Sequence, residues 1–326
     1  MKIENCTHNQ HYISQAEQRL NSTNQKNIYQ FEVYDKNLDL ENISLKKKDS
    51  PRNIKTSLAF EHLYTFEKLS SILFLNFEKI FQKYEDTIRQ SSKKIIENLQ
   101  ENRLDITDDY INLYKTKLMN LFRNPFNINF TLKCLSPLAS ANFLDSSCHE
   151  LQEKITSTDV DQKILNFLEV DIATYRQWLK ILFILLTTSE KTESLLDVFV
   201  AHQKNDIKKT LIIAVIVSEE PNHCLLSDRG FTNFSVDHEF SFSFNLDANH
   251  IINFSSYNLA NDPNVARMAN SDKVISLHHI TKKVYIIRDY PALQYLKSYN
   301  QQTAYQSKSH VFCKSEKPYG INITNE

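Results

Sequence analysis

The sequence predicts an α+β fold, because helix-like and strand-like patterns occupy different parts of the chain. Between residues 66 and 204 the apolar residues recur every three or four positions, as on one face of a helix. The flanking segments contain short runs that alternate in polarity or are rich in β-branched residues. We therefore expect a mainly helical middle inserted between β-containing N- and C-terminal segments that form one mixed sheet. The whole chain, 1–326, is predicted to be a single α+β unit, with 66–204 as a helical subdomain.

The N-terminal part predicts two strands, at 28–34 and 38–45, separated by a turn over 35–39. In the middle, the stripe from Phe66 to Ile88 predicts a helix that continues toward Leu99 and packs against the segment containing Trp178. Each large side chain buried there would contribute about 1.5 to 3 kcal/mol. Thr107 is an N-cap candidate, and Pro125 ends the helix that follows it. Further helices are predicted at 129–135, 159–168, 172–186 and 190–204.

The pattern changes to strand after residue 210. The run 211–217 is β-branched and continuously apolar, and 240–246 alternates between apolar and polar residues. Strands are also predicted at 274–277 and 284–287, followed by a helix at 291–306 and a last strand at 310–313.

The composition excludes several classes of function. The chain has 38 basic and 39 acidic residues, a formal net charge of -1, so no global field attracts it to nucleic acid. Only 2 glycines are present, and neither a P-loop nor a dinucleotide-binding Gly-rich turn can be built from them. We therefore expect no NAD site and no P-loop nucleotide site.

The cellular location is predicted from cysteines and hydropathy. The 5 cysteines include no C-x-x-C pair, which favours a reducing compartment. The apolar run 178–186 is much shorter than the roughly 20 residues of a membrane-spanning helix, and no apolar signal region is visible at residues 1–15. The sequence thus predicts a cytoplasmic protein that does not insert into membranes.

Three short segments carry a resemblance to a known family. They are Asn9-Gln10-His11-Tyr12-Ile13-Ser14-Gln15, Cys224-Leu225-Leu226-Ser227-Asp228-Arg229-Gly230-Phe231 and Tyr299-Asn300-Gln301. In order and spacing they resemble a bacterial family defined only as domain of unknown function forty-two thirty-eight. The chain departs from that family at Ser14, where members have proline, and at Ala16 and Glu17, which replace an aromatic pair. The resemblance spans nearly the whole chain and bears more on fold than on chemistry.

Four residues of these segments are candidate catalytic residues. His11 could carry a proton near neutral pH, or it could be a histidine bonded into the sheet. Asp228 and Arg229 follow a short apolar run, so they could orient a substrate and bind an anionic group, or they could simply form a turn. Asn300 could position water or a carbonyl group, or it could bond a neighbouring loop.

Glu78 and Glu85 are candidate metal ligands. They lie two helical turns apart and would project from one side of the predicted helix, in a segment that the family resemblance also covers. Such a pair could hold a divalent cation, magnesium or manganese, or it could be an ordinary charged helix face. The His and Cys residues near both ends also permit a zinc site, but they lack paired ligand knuckles.

Two functions follow from these candidates. The first is a metal-assisted phosphodiesterase of the nuclease type, because carboxylates with histidine and arginine suit phosphoryl chemistry; by analogy, it would be an effector in phage defence. The second is a non-catalytic sensor or adaptor that binds a protein partner through aromatic residues such as Tyr290 and Tyr295. The near-zero net charge does not support nucleic acid as a partner unless a local basic patch exists.

Overall fold

The structure is a computed structural model that describes most of the chain. The described residues are 4–34, 39–48, 50–71, 73–103, 105–143, 145–188, 193–205, 211–233, 239–257 and 282–324. The α-helices are α1 (Gln15–Leu20), α2 (Glu78–Glu85), α3 (Ile88–Gln100), α4 (Asp108–Arg123), α5 (Ile128–Cys134), α6 (Ser136–Ala139), α7 (Ser146–Ser157), α8 (Gln162–Leu168), α9 (Ile172–Leu186), α10 (Leu195–Asn205) and α11 (Asp289–Gln306).

The strands precede and follow this helical middle, which confirms the predicted α+β class. They are β1 (Glu4–Asn5), β2 (Asn9–His11), β3 (Asn27–Tyr34), β4 (Ser44–Lys47), β5 (Arg52–Asn53), β6 (Ala59–Glu61), β7 (Thr65–Lys68), β8 (Phe74–Asn76), β9 (Leu211–Val217), β10 (Leu226–Ser227), β11 (Thr232–Asn233), β12 (Glu239–Asn245), β13 (His250–Tyr257), β14 (Lys282–Ile287), β15 (His310–Cys313) and β16 (Asn322–Thr324).

The chain divides into two compact units. The first comprises residues 1–13, 58–87 and 115–200, and the second comprises 14–57, 88–114 and 201–326. The prediction of a single α+β unit with a helical subdomain at 66–204 stays a prediction.

The first unit contains two small sheets and most of the helices. Its sheets have the strand orders β1-β8-β7 and β2-β6. Helix α9 is its core element, because nine of its side chains are buried and Trp178, at 0% exposure, donates a hydrogen bond to the carbonyl of Phe122 at 2.9 Å. The ring of Tyr64 lies 5.7 Å from that of Trp178, and Phe77 lies 6.4 Å from Phe183.

The second unit contains two mixed sheets. In one, β3 and β4 from the N-terminal part pair with β15 and β16 from the C-terminal part, as predicted. In the other, of order β11-β12-β13-β9-β14, the edge strand β14 is parallel to β9. Within the described residues the strands are thus distributed over four sheets, where the sequence predicted one.

The predicted Phe66 helix is wrong over its first twelve residues, 66–77. Residues 65–76 form the antiparallel pair β7 and β8, and the helix begins only at Glu78. The aromatic residues nevertheless point inward as predicted, since Phe66 and Phe77 are buried with their rings 5.4 Å apart. Pairing of β8 with β1 as well as β7 stabilises the strand form, which a local helical spacing could not reveal.

Other boundaries differ less. Helix α8 begins at Gln162, because the carboxylate of Asp161 accepts the Lys163 N–H at 2.8 Å and is the actual N-cap. Helices α6 and α7 and strand β13 were not predicted. The strand predicted at 274–277 lies outside the described residues.

None of the helices in the described ranges is both long and apolar enough to cross a membrane.

Candidate functional site

The first unit contains a buried group of charged residues built around helix α2. Glu78 begins this helix and Glu85 ends it, and both are half-buried. Arg123, the last residue of α4, donates a hydrogen bond to the Glu85 carboxylate. Its guanidinium lies 4.6 Å from the ring centre of Phe81, which lies between the two glutamates on the same helix. Arg123 is thus paired with Glu85, and its charge also acts on Glu78. We call Glu78, Phe81, Glu85 and Arg123, together with Lys117, the α2 charge cluster.

Arg123 is held in place by contacts on several sides. It is 1% exposed, and its carbonyl accepts a hydrogen bond from the Tyr64 hydroxyl at 3.1 Å. Burial lowers the pKa of Arg123, but the charges of Glu85 and Glu78 and the nearby Tyr64 outweigh this effect and raise it. Arg123 therefore stays charged and needs at least one ionised carboxylate beside it.

Glu78 has a pKa suited to proton transfer. Burial raises its pKa to about 7; the charge of Glu85 raises it further and that of Arg123 opposes both. A carboxyl group with this pKa is present in both protonation states at neutral pH, which is the condition for efficient general acid–base catalysis. The two glutamates thus differ in role, because Glu85 neutralises Arg123 while Glu78 is able to exchange a proton.

Lys117 adds a second buried group that titrates near neutrality. It lies on α4, six residues before Arg123, and is 4% exposed. Burial, with a contribution from the charge of Arg123, lowers its pKa to about 7. The first unit therefore contains a carboxyl group, that of Glu78, and an amine, that of Lys117, which both have a pKa of about 7.

Several polar atoms of this cluster lack an internal hydrogen bond. Within the described part of the chain, Glu78 Oε1, Arg123 Nε and Asn76 Nδ2 are buried and have no hydrogen-bond partner. Asn76 belongs to the same group, since its Oδ1 accepts the backbone N–H of Glu78 at 3.1 Å. Buried polar groups are normally satisfied, so three such atoms together indicate backbone or side-chain strain, an internal water, an ion or a functional role.

His11 lies in the same unit, on β2. It pairs with Ala59 of β6 and is half-buried. This placement agrees with the alternative that His11 is part of a small sheet, and the catalytic role stays a prediction.

The second unit contains Asp228, Arg229 and Asn300, and its contacts favour the turn alternative for Asp228. The Asp228 carboxylate is 1% exposed and accepts the backbone N–H groups of Lys308 at 2.8 Å, Ser309 at 2.8 Å and His310 at 2.9 Å. These bonds connect the turn after β10 to the turn before β15. Gly230 completes the first turn with a φ of 75°, a conformation that favours glycine.

Arg229 and Asn300 are also bound to backbone groups. Arg229 donates to the carbonyl of Gln306 at 3.1 Å, and burial lowers its pKa while Asp228 opposes the shift. Asn300 accepts the Leu225 N–H at 2.8 Å and donates to the carbonyls of His223 at 3.1 Å and Tyr319 at 2.9 Å. The structure thus brings these predicted residues together around segment 223–229, where they stabilise the chain path.

The two tyrosines predicted to contact a protein partner differ in exposure. Tyr290 is 69% exposed, as predicted, whereas Tyr295 is half-buried and its hydroxyl lies 3.2 Å from Ser243 Oγ. In the described ranges, no three His, Cys, Asp or Glu side chains come together as a metal site.

Sequence reasoning missed Arg123 and Lys117. The sequence pattern that could have identified them is a pair of basic residues, at positions 117 and 123, in a largely apolar segment of α4. The apolar residues of this segment are Leu118, Met119, Leu121 and Phe122. A cation among core positions of a helix normally has a buried anion as its partner.

Comparison with known proteins provides no further assignment. No protein-family model matches the chain, and neither a curated protein nor a solved structure shows significant similarity to it. The resemblance based on the three short segments remains a prediction.

Proposed function

We propose that the protein is a hydrolase of phosphodiester bonds and that Glu78 of the α2 charge cluster transfers the proton. The observation that carries the proposal is the pairing of Glu85 with Arg123 beside Glu78, whose pKa is raised to about 7. Two carboxylates with fixed cations form a group that suits phosphoryl transfer.

In this reaction, ionised Glu78 accepts a proton from the attacking water while the new oxygen–phosphorus bond forms. The bond from phosphorus to the leaving oxygen breaks, and protonated Glu78 returns the proton to that oxygen. Protons therefore balance over one turnover, and Glu78 ends in its starting state. Arg123 acts as a positioning residue, because it holds Glu85 and sets the local charge.

A magnesium or manganese ion would be held by the two carboxylates of the α2 charge cluster. Glu78 Oε1 is buried and has no hydrogen-bond partner in the described part of the chain, so it would be one ligand. The Glu85 carboxylate, which also accepts from Arg123, would be the second. Magnesium is commonly bound by one or two carboxylates, with substrate phosphate and water completing its shell. Such an ion would neutralise charge on the phosphoryl oxygens.

We propose a nucleic acid as substrate and antiphage defence in the bacterial cytoplasm as the biological setting. The net charge of -1 means that attraction of this substrate requires a local basic surface patch.

The alternative function is a sensor or adaptor without catalysis. It is favoured by the contacts of Asp228 and Asn300, which hold backbone segments together. The exposed ring of Tyr290 would then contact a protein partner.

The deciding experiment incubates the purified full chain with single- and double-stranded RNA and DNA in Mg²⁺, Mn²⁺ or EDTA. The proposal predicts cleavage by the natural chain and its loss in Glu78→Gln, with Glu150→Gln as an exposed control from the same unit. Expression with and without phage tests the defence role through cell survival. If no substrate is cleaved under any condition, the hydrolase proposal is wrong and the adaptor is favoured.

A further inference from the structure

The second unit has an open cavity of about 350 Å³ that is separate from the predicted site residues of that unit. It lies at the carboxyl ends of the adjacent parallel strands β9 and β14, where Val217 and Arg288 belong to its wall. His250, the first residue of β13, and Leu293 of α11 also line it. In open sheets, the crevice beyond the carboxyl ends of parallel strands is a common ligand site.

One wall of the cavity has a histidine with a fixed orientation. His250 Nδ1 lies 2.8 Å from Asp247 Oδ1, and because a carboxylate only accepts, the proton is on Nδ1. The same oxygen accepts the backbone N–H groups of Asn249 at 2.8 Å and His250 at 2.9 Å. Burial opposes the charged form of Asp247, but the contacts with His250 and these N–H groups lower its pKa. The ring is therefore held with Nε2 as the nitrogen that can bond a ligand.

A single arginine provides the fixed positive charge of the lining. Arg288 donates one hydrogen bond, at 3.1 Å, to the carbonyl of Leu99 at the end of α3. This contact holds the exposed guanidinium beside the cavity with its remaining N–H groups available, since the described residues provide no other hydrogen bond to it. A guanidinium held in this way matches a carboxylate with two parallel hydrogen bonds.

Acidic and apolar groups complete the lining. Glu219 and Asp289 are exposed carboxylates at the cavity, and Asp289 has a φ of 59°, which is unfavourable for a residue with a side chain. Val217 and Leu293, both half-buried, add apolar surface. Two carboxylates beside one guanidinium would repel a phosphate dianion, but they suit a ligand that carries one negative and one positive group.

We propose that this cavity binds a zwitterionic ligand of amino-acid or dipeptide size with an aliphatic side chain. Arg288 binds its carboxylate, Glu219 and Asp289 bind its ammonium group, His250 Nε2 contacts its polar end, and Val217 and Leu293 contact its side chain. The volume is at the lower end of ordinary small-molecule sites. This binding does not depend on the proposed hydrolase activity.

The test is equilibrium dialysis of the full chain with labelled L-leucine and Leu-Leu. Comparison probes are 4-methylpentanoate, which lacks the ammonium group, leucinol, which lacks the carboxylate, and inorganic phosphate. We expect saturable binding of at least one zwitterion and binding at least tenfold weaker for each comparison probe. Arg288→Gln should weaken binding roughly ten- to a hundredfold, the expected loss for a charge-assisted hydrogen bond.

Two further variants distinguish the loss of a ligand contact from a loss of folding. Arg89→Gln changes an exposed arginine of α3 in the same unit and should leave binding unchanged. Glu219→Gln should reduce zwitterion binding toward that of 4-methylpentanoate, with an unchanged circular dichroism spectrum. The proposal is overturned if neither zwitterion binds saturably, if phosphate or 4-methylpentanoate binds as tightly, or if folded Arg288→Gln and Glu219→Gln bind like the natural chain.

Discussion

Arg123 and Glu85 form a hydrogen-bonded ion pair across 38 positions of sequence, and their environments differ. The Arg123 side chain is 1% exposed, whereas that of Glu85 is 23% exposed. Removing Glu85 leaves a cation that water does not reach, while removing Arg123 leaves a carboxylate that can be hydrated. The cost of breaking a buried pair depends on which charge remains.

This asymmetry gives the first prediction. Glu85→Gln should lower the free energy of unfolding by about 3 to 5 kcal/mol, because the buried guanidinium of Arg123 loses the carboxylate to which it is hydrogen-bonded. Arg123→Met should cost less, since Met retains part of the contact with Phe81. Urea titration followed by Trp178 fluorescence measures both, because Trp178 is the only tryptophan and lies in the same unit.

Glu150→Gln is the control for this measurement. Glu150 is 71% exposed and lies 3.9 Å from Lys154, so its loss should change stability by less than about 0.5 kcal/mol. A loss in Glu85→Gln no larger than that of this surface variant would show that the Arg123 pair is not buried as described.

The second prediction concerns pH and Glu78. The pKa of Glu78 is raised to about 7 in the folded protein, from 4.5 in the unfolded chain. The unfolded chain therefore loses its proton first, and the contribution of Glu78 to stability, fully present below pH 4.5, is lost as pH rises through 7. The loss is on the order of 3 kcal/mol. Urea titrations from pH 4.5 to 8 should show this decline in the natural chain and a flatter profile in Glu78→Gln.

The third prediction concerns Lys117, whose titration has the opposite effect. Its pKa is lowered to about 7 from 10.5, so between these values the unfolded chain binds the extra proton and stability rises with pH. Lys117→Met should remove this rise above pH 7 and should stabilise the protein near neutrality, because no cation must be buried. An unchanged slope between pH 7 and 9.5 in the folded variant would contradict the burial of Lys117.

The fourth prediction concerns Asp228. Asp228→Ala should destabilise the protein by about 3 kcal/mol, because it leaves three backbone N–H groups of residues 308–310 without their acceptor. Asp228→Asn should cost less, since its amide oxygen can still accept. Thermal melts measured by circular dichroism give both values. Asp228→Ala that melts like the natural chain but has lost activity would support the catalytic role suggested by the sequence.

Much of the fold could be predicted because local signals agree with tertiary packing. Helix α9 has a capping aspartate, with Asp171 accepting the Thr174 N–H at 2.7 Å, and an apolar run through its length. Strand β9 is β-branched and lies between two neighbours in its sheet. Where tertiary pairing decides, as for β7 and β8, the spacing from Phe66 onward predicted the wrong element.

The candidate site could be predicted only in part. The spacing of Glu78 and Glu85 placed both on one helix, which the structure bears out. Their partner Arg123 lies on another helix, and no local rule specifies which helices pack together. The buried environment that raises the pKa of Glu78 is likewise a property of the packed unit.

The pH dependence of the cleavage rate tests the central claim most directly. For the natural chain, kcat/KM on the preferred RNA or DNA substrate should rise with pH through a group that titrates near 7, because ionised Glu78 is the base. Glu78→Gln should lower kcat/KM by at least about a hundredfold and remove this inflection, while Glu150→Gln should leave both unchanged. A folded Glu78→Gln variant that keeps the natural rate and pH profile would contradict the assignment of Glu78 as the proton-transferring residue.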